Sequence, residues 1–315
     1  RLCPDGGPSP YARGMSVVAV SEEVRHALDH NIPVVALEST IIAHGLPRPS
    51  NLEAAQGWEA QIRSGGGVPA TVAIIDGVPR VGLSESELEL IAMTEVPKAS
   101  VRDIPIVMGQ GLSGATTVAS TAFIAQAAGV RVFATGGLGG VHRGASESFD
   151  ESADIPILAT TPITVVSAGV KSILDIGATL ERCETSSIPI LGYQTSTFPA
   201  FWLRESPFAL DWRVDSPEEV AAIMYSRDSL GLRSGLIVAN PVPADQQWDP
   251  ITHDRILAQA LHEAHEAGIR GHDVTPFLLA YIQQNSAGES LKVNLDLVTN
   301  NVAVALAIAT AWTKR

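Results

Sequence analysis

Cysteine is scarce in this chain of 315 residues, which has two of them, Cys3 and Cys183. Two cysteines cannot build a disulfide framework, so their scarcity indicates a reducing cytoplasm. Basic residues are also few, because 21 Lys and Arg stand against 34 Asp and Glu and give a net charge of −13. This balance disfavours a general binder of nucleic acid or of anionic membranes. An anionic substrate therefore needs a locally basic pocket.

Long apolar runs are missing as well. We find no run that approaches the roughly twenty residues needed to span a bilayer, so we expect a protein with no membrane partner. Hydrophobic residues nevertheless make up 45% of the chain. That share is enough to bury a large core, and it excludes disorder for most of the sequence.

The first residues differ from the rest in composition. Residues 1–14 contain several prolines and glycines and show no hydrophobic period. They lack the apolar centre of a secretory signal. We therefore expect 1–14 to be a disordered leader or a cloning remnant, Met15 to be the start, and 15–315 to form the functional domain.

Beyond this segment, short apolar runs alternate with amphipathic segments, which is typical of an α/β domain whose sheet is covered on both faces. Strands are predicted at 33–37, 70–75, 131–134, 163–166, 188–193 and 235–239. Helices are predicted at 21–30, 51–64, 84–94, 117–128, 171–182, 216–230, 252–267 and 297–313. No repeat or linker divides the chain, so the sequence predicts a single large α/β domain with α/β/α layers and a central mixed sheet.

A single lysine, Lys171, lies among small and branched apolar residues at 166–175. Loss of hydration in such surroundings lowers the pKa of an ammonium group and frees a nucleophilic amine for attack on a carbonyl carbon. The alternative is a lysine on the first turn of a helix that buries its stem and keeps its charge in water. The local pattern leaves both interpretations open.

Other polar groups follow predicted strands, where α/β domains bind their ligands. Glu38 ends a buried strand, where a raised pKa would suit a general acid, although a structural glutamate fits as well. The glycine-rich loop 135–144 follows another strand and contains His142 and Arg143. Its backbone N–H groups could hold an anion, although a simple turn fits too, and the loop matches neither the dinucleotide nor the P-loop pattern.

Four carboxylates crowd the segment 146–154. Oxygen ligands of this kind suit a hard divalent ion such as Mg²⁺ or Mn²⁺, which keeps several waters. The segment departs from the EF-hand pattern, so calcium bound in that way is not expected. A solvated acidic turn is the alternative.

Four stretches together resemble the pseudouridine-5′-phosphate glycosidases, also called the indigoidine synthase A-like family. They are ALESTIIAHGLP at 36–47, GATTV at 114–118, ATGGLGGVHR at 134–143 and KSILD at 171–175. The resemblance runs from about Ser21 to the C-terminus. It implies reversible cleavage of the carbon–carbon glycosidic bond of pseudouridine 5′-phosphate to uracil and ribose 5-phosphate, through a ring-opened sugar linked to a lysine as an imine. It also implies a divalent metal, typically Mn²⁺, and a homotrimer.

The resemblance further implies roles for individual residues. Lys171 matches the nucleophile, Glu38 the proton donor and acceptor, and Asp150 the metal ligand. Residues that match substrate contacts are Lys98, Val118, Thr135, His142, Ser152, Ala153, Asp154 and Asn294. Thr135 and His142 fit the sugar-phosphate pocket, and Asn294 fits a base or sugar contact.

Two other functions remain open at this point. A lysine-imine aldolase acting on sugar phosphates would use the same amine and anion-binding loop but would gain nothing from pyrimidine contacts. A non-catalytic binder of sugar phosphates would show no turnover, and its ligand affinity would not change on replacement of Lys171 by alanine.

Overall fold

The computed structural model describes residues 17–269 and 274–315, except the side chains at 275 and 276. The predicted leader, Met15 and Cys3 lie outside the described residues. The strands are β1 Ala19–Val20, β2 Val34–Leu37, β3 Val68–Ile75, β4 Val78–Val81, β5 Lys98–Ala99, β6 Gly114–Thr116, β7 Val132–Ala134, β8 Val141–His142, β9 Thr164–Ser167, β10 Leu174–Asp175, β11 Ile190–Tyr193, β12 Arg213–Val214 and β13 Leu236–Ala239.

The helices are α1 Glu22–Asp29, α2 Ser50–Ser64, α3 Glu85–Met93, α4 Ile104–Gly109, α5 Val118–Ala127, α6 Ala145–Ser148, α7 Asp154–Leu158, α8 Ile176–Thr185, α9 Pro217–Ser229, α10 Pro250–Glu266, α11 Val274–Asn285 and α12 Glu289–Thr313. Two short turns add to them, a π-helical turn at Ile41–Gly45 and a 3₁₀ turn at Val101–Asp103.

A large mixed sheet forms the centre of the molecule. Its main path runs β1-β4-β3-β2-β7-β9-β13-β11-β12, and β6 with β5 extends from β3. Strands β2, β7, β9, β13 and β11 are parallel neighbours, whereas β3 pairs antiparallel with β4 and β6. Every residue of β2, β3, β9 and β13 is buried, as expected for strands covered on both faces.

Helices cover the sheet in two groups, with α2, α9 and α12 packed together and α5 packed against α7. Local signals define their ends. A capping box starts α3. The hydroxyl of Ser84 accepts a hydrogen bond from the backbone N–H of Glu87, and the carboxylate of Glu87 accepts one from the backbone N–H of Ser84. Asp249 caps α10 just before Pro250. The predicted single α/β domain with a central mixed sheet and α/β/α layers is confirmed.

Two predicted helices have different bounds in the structure. Lys171 does not lie on a helical turn, because α8 begins only at Ile176, after Asp175 caps it through the amide of Ala178. The last helix begins at Glu289, eight residues before the predicted start at 297. The expected first-turn position of Lys171 is therefore wrong, and the residue lies in the loop after β9.

Helix α12 also corrects the expectation about apolar runs. It has 25 residues, and an 18-residue window with a mean hydropathy of 1.4 makes it long and apolar enough to cross a membrane by length and composition. In the structure it packs on β2, β7, β9, α2 and α9. Val293, Val302 and Ile308 are buried in that packing. The apolar residues of α12 thus contribute to the core of the domain.

Candidate active site

The carboxyl ends of four neighbouring parallel strands meet at one edge of the sheet. Glu38 follows β2, Thr135 follows β7, and Asn240 follows β13. Strand β9 lies between β7 and β13, and the loop from Ala168 to Lys171 follows it. Because parallel strands end together, residues far apart in sequence converge there.

A cavity of about 490 Å³ opens at this edge. Its lining includes polar groups from the strand ends and apolar groups from the helices that cover them. The lining residues are Glu38, Thr40, Ile41, His44, Gly45, Lys98, Thr135, Gly136, Gly137, Lys171, Phe201, Trp202, Leu279, Ala280, Gln283, Ser290, Leu291 and Asn294. Five predicted site residues therefore share one cavity: Glu38, Lys98, Thr135, Lys171 and Asn294.

Glu38 is a buried acid whose carboxylate has a hydrogen-bond partner. Its carboxylate accepts a hydrogen bond from the hydroxyl of Thr135. Burial raises the pKa of Glu38, and the positive charge of Lys171 and the hydrogen bond from Thr135 oppose that rise. The direction is the one predicted from the sequence, and it suits a group that gives and takes a proton.

Two lysines share the cavity with this carboxyl group. The backbone N–H of Lys171 donates to the carbonyl of Leu138 at 3.1 Å, which anchors the lysine loop to the glycine-rich loop. Lys98 lies at the start of the short strand β5, is exposed, and lines the cavity. The cavity walls remove part of its hydration and lower the pKa of Lys98, and the charge of Lys171 lowers it further.

Asp154 holds two backbone segments together beside these groups. One carboxylate oxygen accepts from the amide of Ala119 at 2.9 Å, and the other accepts from Gly139 at 2.7 Å. The residue is 7% exposed, so it is a buried carboxylate paired with backbone donors. It thereby joins the N-terminus of α5 to the glycine-rich loop.

Three further predicted contacts surround Asp154. Val118 is the first residue of α5 and is buried. The hydroxyl of Ser152 accepts from the amide of Asp154 at 3.2 Å, whereas Ala153 is exposed. These residues lie at the margin of the site, outside the lining of the main cavity.

His142 and Asp150 form a pair next to the lysines. Nδ1 of His142 lies 3.7 Å from Oδ2 of Asp150, and the His142 amide donates to the Asp150 carbonyl at 3.0 Å. Burial lowers the pKa of His142, Asp150 opposes this, and Lys171 and Lys98 lower it further. The neutral imidazole is therefore favoured, and the positive charges beside it are those of Lys171 and Lys98.

The metal predicted at Asp150 can be tested against the donors present. Among residues 17–269 and 274–315, no group of three or more His, Cys, Asp or Glu is placed to enclose a metal ion. Asp150 carries a partly accessible carboxylate, and neighbouring Glu151 is already paired with Arg182. This donor set fits a hard ion that takes one or two protein ligands and keeps most of its water.

Sequence reasoning missed several residues of the cavity wall. His44 lies in the π-helical turn, and burial together with the charge of Lys98 lowers its pKa. Phe201 and Trp202 reach the cavity from the loop after β11, and Nε1 of Trp202 donates to Oδ1 of Asn294 at 2.8 Å. His44 sits inside a stretch quoted above, but nothing near Trp202 in the sequence marks it.

A buried carboxylic acid, two amines and a cavity of this size at the carboxyl edge of a parallel sheet define an α/β enzyme site for acid–base and amine chemistry on a small polar substrate. Comparison with known proteins narrows this class. Residues 23–311 match the family model described as indigoidine synthase A like protein. The chain belongs to that family, as its sequence motifs predicted.

Relatives in sequence carry one name. A pseudouridine-5′-phosphate glycosidase of Frankia alni is 60% identical over 300 residues, which cover 95% of this chain and 83% of that protein. A pseudouridine-5′-phosphate glycosidase of Saccharopolyspora erythraea is 55% identical over 298 residues, which cover 94% of this chain and 98% of that protein.

Solved structures show the same fold. The prealnumycin C-glycosynthase AlnA in complex with ribulose 5-phosphate has a TM-score of 0.89 and 35% identity, and covers 95% of this chain and 98% of its own. An indigoidine synthase A-like protein of Thermotoga maritima has a TM-score of 0.85 and 35% identity, and covers 96% of this chain and 99% of its own.

Proposed function

We propose that this chain catalyses the reversible cleavage of the carbon–carbon glycosidic bond of pseudouridine 5′-phosphate to uracil and ribose 5-phosphate. The observation that carries the proposal is Glu38, a buried acid that shares one cavity with Lys171 in a chain whose relatives bear this activity in their names. The relative solved with ribulose 5-phosphate supports a sugar phosphate as the ligand.

The chemistry requires both residues. The glycosidic bond of this substrate joins two carbons, so protonating a nitrogen or oxygen leaving group cannot release the base. In our mechanism Glu38 gives a proton to the ring oxygen as its bond to the anomeric carbon breaks. The amine of Lys171 forms a bond to that carbon and loses a proton. The ribose is then open and linked to the lysine.

Release of the base follows from the same two groups. A proton added to the uracil carbon that bears the sugar lets the carbon–carbon electron pair return to the pyrimidine ring. The lone pair of the Lys171 nitrogen forms a C=N bond with the anomeric carbon at the same time. Water then adds to the iminium, and ribose 5-phosphate leaves with regeneration of the amine. Glu38 is the proton carrier at each stage because it is buried beside Lys171.

The phosphate is assigned to the side of the cavity where Lys98 lies. The N-terminus of α5 is nearby, since Asp154 bonds the amide of Ala119 and also influences the pKa of Lys98. Backbone N–H groups at a helix start, including that of Val118, and a lysine are donors that suit a phosphate. Ser152, Ala153 and His142 complete this assignment, and Asn294 is assigned to the base or the sugar.

A divalent ion, Mn²⁺ or Mg²⁺, is part of the proposal. Asp150 would hold it, with His142 beside the carboxylate. When bound, the ion would supply positive charge and ordered water near the substrate. The partly accessible carboxylate of Asp150 supports this assignment.

A homotrimer and a cytoplasmic location also belong to the proposal. Val78, Ile106 and Leu112 are exposed apolar side chains, and the backbone bond from Gly77 to Leu112 joins two of the segments that carry them. Exposed apolar groups on adjoining segments support association of copies. The presence of a single described cysteine, buried Cys183, supports a reducing compartment.

Uracil release from pseudouridine 5′-phosphate, measured spectrophotometrically with and without added Mn²⁺, tests the function. We expect turnover by the unchanged protein and none by Lys171→Ala. Reduction with borohydride in the presence of ribose 5-phosphate should attach the reduced sugar phosphate to Lys171, detectable by peptide mass spectrometry. Lys98→Ala is the control for the identity of the amine. It removes the neighbouring amine, and at a ribose 5-phosphate concentration high enough to offset the lost phosphate contact it should still allow the adduct at Lys171.

The two alternatives give different results. A lysine-imine aldolase would form the adduct but release no uracil. A non-catalytic binder would show neither turnover nor adduct, and its affinity for ribose 5-phosphate would not change in Lys171→Ala. No uracil with or without Mn²⁺ would contradict the proposed function.

A further inference from the structure

One hydrogen bond on the cavity wall joins two residues that are far apart in sequence. Nε1 of Trp202 donates to Oδ1 of Asn294 at 2.8 Å, and both residues line the cavity. An indole N–H can only donate, so the amide atom that meets it must be the oxygen and not the NH₂ group. The bond thereby fixes which way the amide of Asn294 faces.

The other end of this amide is left for a ligand. Within the described part of the chain, Nδ2 of Asn294 has no protein partner. The residue is partly buried near the start of α12. With its oxygen held by Trp202, Asn294 can offer only N–H donors to the cavity. A donor pairs with a carbonyl oxygen and does not pair with an amino group.

The indole ring of Trp202 is enclosed by other aromatic side chains. Trp202 is 1% exposed and packs edge-on against Trp248 and His253, with ring centroids 5.5 and 5.9 Å away. The amide of Trp248 donates to the carbonyl of Trp202 at 3.0 Å. A side chain enclosed in this way cannot turn its N–H elsewhere without disturbing its neighbours.

The backbone of the same segment is tied to the lysine loop. The amide of Phe201 donates to the carbonyl of Ala168 at 3.0 Å, three residues before Lys171. The Phe201 ring also lies against Gly137, where a Cβ would come within 2.6 Å of it. The position of Trp202 is therefore coupled to the two loops that shape the site.

We propose that Trp202 is a positioning residue for selection of the base. By holding the oxygen of Asn294, it makes the cavity accept a pyrimidine that presents a carbonyl oxygen at this point and reject one that presents an amino group. This inference rests on the proposed function and deepens it. An amino group facing the Asn294 NH₂ would leave two donors unpaired, and sites built to pair a group discriminate strongly on this basis.

The test compares Trp202→Phe with the unchanged protein. Phenylalanine keeps an aromatic ring but removes the N–H, so the Asn294 amide is free to turn. The measured quantities are the affinities for free uracil, cytosine and isocytosine, by calorimetry in the presence of ribose 5-phosphate, with Lys171→Ala added to every protein compared so that no bond to the base can form. The unchanged protein should bind uracil more tightly than whichever of cytosine and isocytosine presents its amino group to Asn294. In Trp202→Phe we expect this preference to fall about tenfold, and the affinity for ribose 5-phosphate alone to stay the same.

Trp248→Phe is the matched control. It makes the same change in a neighbouring buried tryptophan that does not line the cavity, so it should keep the preference for uracil. Wild-type preference in a folded Trp202→Phe variant would overturn the inference. An equal loss of preference in both variants would also overturn it, since that result would show general loosening of the core.

A second variant decides the question if Trp202→Phe does not fold. In Asn294→Asp one carboxylate oxygen can still accept from Trp202, and the other then faces the cavity as an acceptor. The preference should shift toward the amino-bearing base, and an unshifted preference would refute the inference. Failure of the proposed function would appear separately, as missing uracil release by the unchanged protein, because these affinities do not require turnover.

Discussion

Glu38 illustrates how a single residue acquires its chemistry from its neighbours. Removal from water favours its neutral form, whereas Lys171, Thr135 and Lys98 favour its ionised form and Asp154 opposes them. Burial is the largest of these influences. The net result is a raised pKa for Glu38, which suits a group that must both give and take a proton.

Replacement of Glu38 by Gln should change how stability depends on pH. Because the pKa of Glu38 is raised in the folded state, the folded protein binds more protons than the unfolded chain between the ordinary value of 4.5 and the raised pKa. Ionisation of Glu38 thus lowers the stability of the unchanged protein as pH rises through this window. Glu38→Gln does not ionise and should lose less stability there.

The measurement is the free energy of unfolding by urea at a series of pH values from acid to neutral. The difference between Glu38→Gln and the unchanged protein should be constant below 4.5 and should increase in favour of the variant above it. Glu89→Gln, at an exposed position, provides the control. A difference that stays flat or falls with pH would contradict the prediction.

At the scale of the elements, the glycine-rich loop and α5 are organised by Asp154. The carboxylate replaces water as the partner of two backbone N–H groups, those of Ala119 and Gly139. It also places negative charge at the start of α5, where the helix dipole favours it. The lysine loop joins this unit through the bond from the Lys171 amide to the Leu138 carbonyl.

Asp154→Ala should therefore lower the free energy of unfolding by about 2–4 kcal/mol, since an unsatisfied backbone donor costs about 1–3 kcal/mol. Asp154→Asn keeps one acceptor oxygen and should cost less. Asp150→Ala is the control, because the side-chain partner shown for Asp150 is His142 at 3.7 Å and its loss should cost under about 1 kcal/mol. Urea unfolding measures all three, and equal losses for Asp154→Ala and Asp150→Ala would disprove this role.

The elements also show what the sequence could predict. The buried strands stood out as apolar runs between turn residues, and Glu38 was found because it follows one of them. The contact between Glu38 and Thr135 was not predicted, and it arises because parallel strands end at one edge of the sheet. The start of α8 was misplaced because Lys171 has good helix propensity, whereas the backbone bond to Leu138 holds it in a loop.

Other features depend on contacts that no local pattern contains. The bond between Trp202 and Asn294 joins residues 92 positions apart. The first turns of α12 carry Lys292 and Asn294 among apolar residues, and this mixture hid the helix start. Tertiary packing decides such positions, since propensity is only a weak guide.

At the scale of the whole molecule, α12 connects the site to the opposite edge of the sheet. At about 1.5 Å per residue the helix is roughly 37 Å long. Asn294 near its start lines the cavity, whereas Trp312 near its end lies over the guanidinium of Arg131, just before β7 begins. Between them, Nδ2 of the Asn301 side chain donates to the backbone carbonyl of Thr135 at 2.8 Å. The part of the helix beyond Asn301 therefore lies outside the cavity lining.

Gly67→Ala tests this separation. A Cβ at Gly67 would lie 2.5 Å from Cδ1 of Leu306 on α12 and 3.2 Å from both Ile62 and the carbonyl of Pro33, so α12 must shift or Leu306 must turn. We expect the free energy of unfolding to fall by about 1–3 kcal/mol. The rate of uracil release should not change, because the contact lies away from the cavity lining.

Gly57→Ala makes the same chemical change in the interior of α2, where nothing lies within 4 Å of the added Cβ. That variant should gain about 0.5–1 kcal/mol, because alanine loses less backbone entropy than glycine in a helix. Combining Gly67→Ala with Leu306→Ala should cost less than the sum of the single changes, since the smaller side chain makes room for the new methyl group. If the two changes simply add, the close approach of Leu306 is not the cause of the loss. A drop in uracil release that tracked the loss of stability would instead show that the far half of α12 is coupled to Asn294.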